Sequence, residues 1–292
     1  MIQNALTIDV EDYFQVSAFE NVVSRKNWDS YDLRVEHNTH ALLEILDANN
    51  TNATFFILGW VAERCPDLVR EIARQGHEIA CHGYSHKLVY KQSETEFREE
   101  TCKSKKILED ICGKAVTGYR AASYSITKRS LWALDILIEA GFEYDSSIFP
   151  VRHDRYGIAG SPRFPYIIDR SQNRTIIEFP MSTGRMFGMN IPVSGGGYFR
   201  LIPYPITRKL LSGINENEKQ PFIFYLHPWE IDPDQPVIEA SRISNLRHYT
   251  NIRHCRQKFE KLLASFRFTT VAGVLNGNPV ADSRLWQTVP GQ

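Results

Sequence analysis

The chain has 292 residues, 42% hydrophobic and 23% charged, an ordinary globular balance that excludes a disordered tail, a collagen-like repeat and a disulfide-stapled miniprotein. Thirty-four Lys and Arg balance 34 Asp and Glu. The composition therefore lacks the basic excess of a nucleic-acid binder and exerts no long-range pull toward an anionic membrane.

Residues 5–8 (ALTI) form a short apolar run ending in carboxylates, which predicts a buried strand with its C-terminal end at Asp9. Helical spacing of Leu42, Leu43, Leu46 and Ala48 predicts a helix over 37–48, and residues 53–58 predict the next strand. Pro66 opens a helix that Gly76 closes. A strand over 77–81 precedes a helix over 93–112, with Ser93 as N-cap and Glu96 completing a capping box. A strand at 116–119, a helix at 127–141 and a strand end at Asp145 follow. Residues 150–220 are looser, with strands predicted at 175–179 and 196–200 and a hairpin turn at Gly195-Gly196-Gly197. A buried strand at 222–226 ends at His227, and a long helix over 240–266 and a strand at 268–271 come last. The alternation predicts βα units on a parallel sheet. No linker cuts it, so one barrel-like α/β domain over 1–292 is expected.

The five cysteines form no pairing pattern, which fits a reducing compartment. The first residues carry no signal-peptide pattern, and the most apolar stretch, 53–62, is far short of the roughly 20 residues a membrane helix needs. A cytoplasmic protein without stable membrane insertion is expected. The sequence does not give the oligomeric state.

Asp9, Glu11, Asp12, His82, His86, Arg120, Asp145 and His227 all fall just after predicted strands, where parallel α/β folds build their active face. His82 and His86 are spaced i, i+4, which on one helical turn puts two imidazoles on one face, suited to a divalent metal. Gly83 stands where HExxH hydrolases carry their base, so a base must come from elsewhere. The segment 9–12 (DVED) offers one carboxylate as a third ligand and a second to take a proton from water. Arg120 suits a bidentate bond that orients a carboxylate. Asp145 and His227 suit a carboxylate–imidazole pair acting as a general acid toward a leaving amine. Cys81 reads as a buried strand cysteine rather than a nucleophile. There is no GxSxG elbow and no phosphate-binding glycine fingerprint. His40, His77, His153 and His254 have no visible partner and read as structural. Tyr124, Tyr198, Phe199 and Trp229 follow the active-face motifs and are placed to stack on a sugar or to fill the core.

With these residues assembled, the chain resembles the polysaccharide deacetylases of carbohydrate esterase family four, whose fold is an irregular (β/α) barrel. The likeness lies in ALTIDVED, the run from Asn52 to His86, GYRAASYSIT, EYDSSIFP and FYLHPWE. It covers core motifs at 5–150 and 222–230, with subgroup extensions at about 150–220 and 235–285 that include an extra C-terminal helix and strand. The DVEDYF opening, GGGYFRLIPY and HYTNIRHC resemble the subgroup found with bacterial exopolysaccharide biosynthesis. The resemblance implies Asp9 as catalytic base, His82 and His86 as metal ligands, Arg120 as the arginine orienting the base, His227 as catalytic acid and Asp145 as the aspartate that tunes it. Val10 departs from the family's usual second aspartate, so the third ligand is Glu11 or Asp12, with Asp12 preferred for its reach. Ala122 departs from a common proline. The implied cofactor is a divalent metal, zinc before cobalt, nickel or manganese. The implied substrate is an N-acetylated glycan, with Tyr124, Tyr198 and Trp229 as sugar contacts. A small-amide hydrolase or deformylase, and an inactive carbohydrate-binding relative, are the competing readings.

Overall fold

A computed structural model describes residues 2–153, 155–170, 174–278 and 280–282. Its elements run β1 (Gln3–Val10), α1 (Val35–Ala48), β2 (Thr54–Ile57), α2 (Gly59–Arg64), α3 (Pro66–Arg74), β3 (Glu78–Cys81), α4 (Glu94–Cys112), β4 (Gly118–Tyr119), α5 (Trp132–Glu139) and β5 (Tyr144–Asp145). They continue with β6 (Tyr166–Asp169), β7 (Thr175–Glu178), β8 (Thr183–Met186), β9 (Met189–Pro192), α6 (Gly196–Leu201), α7 (Tyr204–Glu216) and β10 (Ile223–Leu226). The last are α8 (Arg242–Tyr249), α9 (Ile252–Ser265), β11 (Arg267–Thr269), α10 (Val271–Gly277) and β12 (Ala281–Asp282).

The main sheet has the order β10-β1-β2-β3-β4-β5-β7-β6-β12, with β11 also paired to β1. Its pairings are parallel except β6 on β7. Helices α3 and α4 pack on β3, and α10 packs on β1. The architecture is an irregular (β/α) barrel, as the alternation of elements predicts. Seven of the eight residues of β1 are buried, which a strand covered on both faces requires. Register then gathers the strand ends. Ile8 pairs with Leu226, so Asp9 and His227 are the next residues beyond that rung. Cys81 pairs with Tyr119, and Tyr119 with Asp145, which aligns His82, Arg120 and the end of β5.

Local chemistry explains where the elements begin and end, and where the expectations miss. Pro66 opens α3 as expected. Ser93 Oγ accepts the Glu96 N–H of α4 at 3.2 Å, but the Glu96 carboxylate turns to Lys87, so only half of the capping box forms. The expected strand at 196–200 and hairpin at 195–197 are instead the start of helix α6. The glycines are needed there for close approach: a Cβ on Gly195 would sit 1.9 Å from the Tyr225 carbonyl oxygen, and Gly195 forms a bridge to Tyr225. The long helix predicted at 240–266 is broken into α8 and α9 at Thr250, which is extended, and Asn251, whose φ is +58°. No helix among the described residues is long and apolar enough to cross a membrane. The end of the predicted 235–285 extension and the rest of the chain to 292 lie outside the described residues.

Candidate active site

The eight strand-end residues singled out in the sequence are all buried or nearly so; five of them, Asp9, Glu11, His82, His86 and His227, line one cavity, and Arg120 lies behind Asp9. His82 and His86 do come together, with ring centroids 5.3 Å apart. They do so on a loop, not on the helical turn that the spacing suggested. Gly83 has φ +73° and His86 φ +50°, which no helix contains, and the Arg25 guanidinium holds the loop by bonding to the Ser85 and His86 carbonyls at 2.7 and 3.1 Å. Nδ1 of His82 lies 2.8 Å from the Arg120 carbonyl oxygen, a bond it makes by donating, which leaves the Nε2 lone pair for the site. Burial pushes the His82 imidazole down to about 4, so the ring is neutral, the form that ligates metals.

The third member is Glu11, correcting the preference for Asp12. Ligand atoms of Glu11, His82 and His86 lie within 4.8 Å of one another, all three side chains buried. Burial pushes the Glu11 carboxyl up, but the imidazoles of His86, His227 and His82 outweigh it and hold it at about 2. Asp12 faces the other way. Its Oδ2 accepts the N–H groups of Arg34 and Val35 at 2.8 and 2.9 Å, and its Oδ1 accepts that of Tyr13. It therefore caps α1, and burial raises it to about 6. Both residues lie just past β1, where the chain turns and the Glu11 N–H donates to the Asp9 carbonyl at 3.0 Å, and the two side chains leave that turn in different directions. Two imidazoles and one carboxylate, buried with lone pairs converging, fit a divalent cation. His86 Nε2 and Glu11 Oε2 stand 2.9 Å apart, and buried His86 Nδ1 has no hydrogen-bond partner.

Asp9 lies beside this group. Arg120, fully buried, donates to Asp9 Oδ1 at 2.5 Å and to Thr7 Oγ1 at 2.8 Å, and its other nitrogens bond to the Ser146 carbonyl and hydroxyl. Its guanidinium also lies 4.0 Å over the Phe56 ring. Arg120 thus bonds to Asp9, through one N–H and not through the bidentate pair expected from the sequence. His227 Nε2 stands 3.4 Å from Glu11 Oε1 and 4.0 Å from Asp9 Oδ2.

The expected Asp145–His227 pair does not form. Asp145 bonds to Ser147 Oγ at 2.5 Å and lies against Glu178 from β7. Burial pushes both carboxyls up; Asp145 raises Glu178 further, while the hydrogen bond from Glu178 pulls Asp145 back down, so the pair shares a proton that Glu178 carries. The partner of His227 is Glu230, whose Oε2 bonds to Nδ1 at 2.9 Å and to the His227 backbone N–H at 3.1 Å. Three residues on, in the short 3-10 turn Pro228–Ile231, this side chain reaches back as the acid of a capping box. Arg200 of α6 donates to Glu230 Oε1 at 2.7 Å and to the carbonyls of Arg247, His248 and Thr250. Burial would push His227 down, but Glu11, Glu230 and Asp9 outweigh it and raise it to about 9. Sequence reasoning missed Glu230 and Arg200; the i, i+3 spacing in HPWE was the available signal for the first, and nothing local signalled the second.

The cavity above the floor measures about 410 Å³. Tyr124, Tyr198 and Trp229, named from the sequence, all line it, as do Phe149, Tyr156 and Tyr225. Trp229 offers only an edge: its faces are stacked by His227 at 5.0 Å and His248 at 4.1 Å, and its indole N–H points to Glu11 Oε1 at 3.3 Å. Tyr198 bonds through its hydroxyl to that of Tyr156. Three histidines set aside as partnerless are not so: His40 pairs with Glu71 at 3.0 Å, His77 Nδ1 accepts the Ala53 N–H at 3.2 Å, and His153 Nδ1 accepts the Arg155 N–H at 3.1 Å. His153 lines the cavity and stacks on Tyr156. Cys81 is fully buried, and burial pushes its thiol up to about 11, which suits packing and not attack.

Two family models match the chain: one for polysaccharide deacetylases over residues 26–144, and one for a domain of unknown function, DUF3473, over 146–276. A peptidoglycan-N-acetylglucosamine deacetylase of Bacillus cereus is 38% identical over 98 residues, which is 33% of this chain and 36% of that protein. A chitooligosaccharide deacetylase of a Bradyrhizobium strain is 27% identical over 99 residues, 34% of this chain and 43% of that protein. The chain thus spans well under half the length of these relatives. Among solved structures, a Mycobacterium smegmatis protein assigned to the polysaccharide deacetylases aligns with TM-score 0.63 and 20% identity, covering 94% of this chain and 89% of that one. A PuuE allantoinase aligns with TM-score 0.60 and 14% identity, covering 99% and 92%. Likeness at these identities shows the fold, and one fold hosts both chemistries.

Proposed function

We propose, from the premise that the chain belongs through residues 26–144 to the polysaccharide deacetylase family, that it hydrolyses N-acetyl groups of an N-acetylated glycan or its lipid-linked precursor. In our reading it serves bacterial exopolysaccharide biosynthesis, and residues 1–292 work as one domain. The observation that carries the reading is the convergence on one cavity floor of a ligand triad, an arginine-held carboxylate and a carboxylate-held imidazole.

In this reading Glu11, His82 and His86 hold a divalent metal, zinc by preference, with Asp12 left to its helix. The bound metal supplies Lewis acidity that polarises the acetamide carbonyl and the attacking water. Asp9, fixed by Arg120, accepts the proton of that water as its oxygen adds to the carbonyl carbon. His227 carries its proton on Nε2, toward the cavity, because Nδ1 is committed to Glu230. It delivers that proton to the amide nitrogen as the carbon–nitrogen bond breaks, releasing acetate and the free sugar amine. Glu230 and Arg200 position the imidazole, and Asp145 acts at a distance through Ser147 and the loop that carries Arg120. Tyr124 and Tyr198 line the path of the sugar.

The test joins metal content to acetate release. The zinc-loaded protein is assayed on N-acetylated chito-oligosaccharides and on a panel of small amides and formamides. Acetate release from the sugars, lost together with about one metal per chain in a His82→Ala/His86→Ala variant, supports the reading. Turnover of small amides alone moves the chain to an amidohydrolase. Metal binding without any turnover makes it a carbohydrate-binding relative.

A further inference from the structure

We propose that residues 146–276 add an oxyanion-recognition site to this cavity, formed by Arg155 and Arg247 at its mouth, which reads a carboxylate or phosphate group of the glycan. The inference rests on the deacetylase reading and names the chemical class of its substrate.

The charge distribution of the lining points there. Among the described residues only Asp9 and Glu11 bring carboxylates to the cavity wall, and both lie at the floor. Of the lining arginines, Arg200 is buried and committed to Glu230 and three carbonyls. Arg155 and Arg247 make no ion pair with a described carboxylate. The Arg155 Nη2 reaches only the Ser17 carbonyl, at the long distance of 3.5 Å. The Arg247 residue is exposed, and what is bonded is its carbonyl oxygen, by Arg200.

The two share an edge of the cavity. The turn Ser17–Phe19, which Arg155 touches, packs against α8, which carries Arg247. Tyr156, next to Arg155 in the chain, lies within the electrostatic reach of Arg247. Both backbones are fixed. The Arg155 N–H donates to His153 Nδ1 at 3.1 Å, His153 stacks on Tyr156 at 3.8 Å, and Tyr156 stacks on Phe149. The Arg247 carbonyl is tied to the same arginine that holds Glu230. The two guanidinium groups stand on fixed mounts, line one opening and have no counter-charge among the described residues. Guanidinium forks match planar and tetrahedral oxyanions bidentately. Arg155 and Arg247 line the opening, so an anion held between them lies at the mouth while the acetamide goes to the floor. A uronic-acid neighbour and a diphosphate link to a carrier are the two sources of such a group.

Calorimetric binding to the zinc-loaded Asp9→Asn protein, which leaves the probes intact, separates them. The probes are triacetylchitotriose, a tetrasaccharide of alternating glucuronate and N-acetylglucosamine, and uridine diphosphate N-acetylglucosamine. At least one anionic probe is expected to bind about ten-fold or more tightly than chitotriose, with an advantage that shrinks as salt rises. The advantage should vanish when Arg155→Gln and Arg247→Gln are added, with the thermal midpoint as the folding control. Equal binding of all three probes overturns the inference, and so does an advantage that survives the double substitution. A preference for the glucuronate probe assigns the carboxylate source; one for the nucleotide sugar assigns the diphosphate. Acetate release by the protein with Asp9 intact keeps the two readings apart. An anion advantage without acetate from any probe removes the deacetylase and leaves the anion site. Acetate from chitotriose without an anion advantage does the reverse.

Discussion

Glu11 and Asp12 are neighbours with opposite fates, and the difference is testable. Glu11→Gln is expected to lose most of the bound metal, because it removes a charged member of a buried triad. Asp12→Asn should keep it and instead lower stability by about 1 kcal/mol, since the side chain satisfies the first N–H groups of α1. Elemental analysis and urea unfolding of the two variants decide. Asp9→Asn should retain metal while turnover falls about 10²- to 10⁴-fold; turnover at the normal rate would remove Asp9 as base. Glu230→Gln should lower kcat on an acetamide about 10- to 100-fold with KM little changed. It should spare hydrolysis of 4-nitrophenyl acetate, whose leaving group needs no proton, and equal losses on both substrates would make Glu230 merely structural. Most of these residues were legible in the sequence because each ends an apolar run with a polar side chain. Glu230 was not, because its role depends on a three-residue turn folding back on His227. The choice between Glu11 and Asp12 depended on the turn that follows β1 and on the distant start of α1, whose N–H groups claim Asp12.

Elements show the same division. The βα alternation over the first half was readable from hydrophobic runs and from Pro66 and Ser93, which act locally. Helix α6 was not, since the glycines at its start answer to Tyr225, Gly195 to its carbonyl oxygen and Gly196 to its ring, rather than to their own neighbours. The His82–His86 loop hid its shape behind helical spacing, because two positive φ angles and the distant Arg25 define it. His77, which leads into β3, sets a pH response. Burial pushes its imidazole down to about 4 from an ordinary 6.5, and its Nδ1 accepts the Ala53 N–H as a neutral ring. Between pH 6.5 and about 4 the unfolded chain therefore binds a proton that the folded chain refuses. Stability is present in full above 6.5 and falls as pH drops through that window. Urea midpoints across the range should show the decline, and His77→Asn should make it shallower; an unchanged slope would discharge His77 from this role.

On the scale of the whole molecule, the two matched segments share one sheet with β1, which precedes both. β10, from the second, lies against β1, and His227 just beyond it faces Asp9 and Glu11. We therefore expect a chain cut after residue 145 to fail to fold cooperatively, and the full chain to melt in one transition. Two separate calorimetric transitions would show instead that the segments are independent. The pairing of β1 with β10 also places a demand on the timing of synthesis. At roughly 5–20 residues per second, some 10–40 s pass between the emergence of β1 and that of β10 from the ribosome. During that interval a strand destined for burial has β2 along one side and an open ladder of N–H and C=O groups along the other. Such an edge is a template for another nascent chain. Slow translation or crowded polysomes should therefore be a hazard to this barrel before any of its chemistry exists, and chaperone occupancy of the nascent chain should peak before residue 226 emerges.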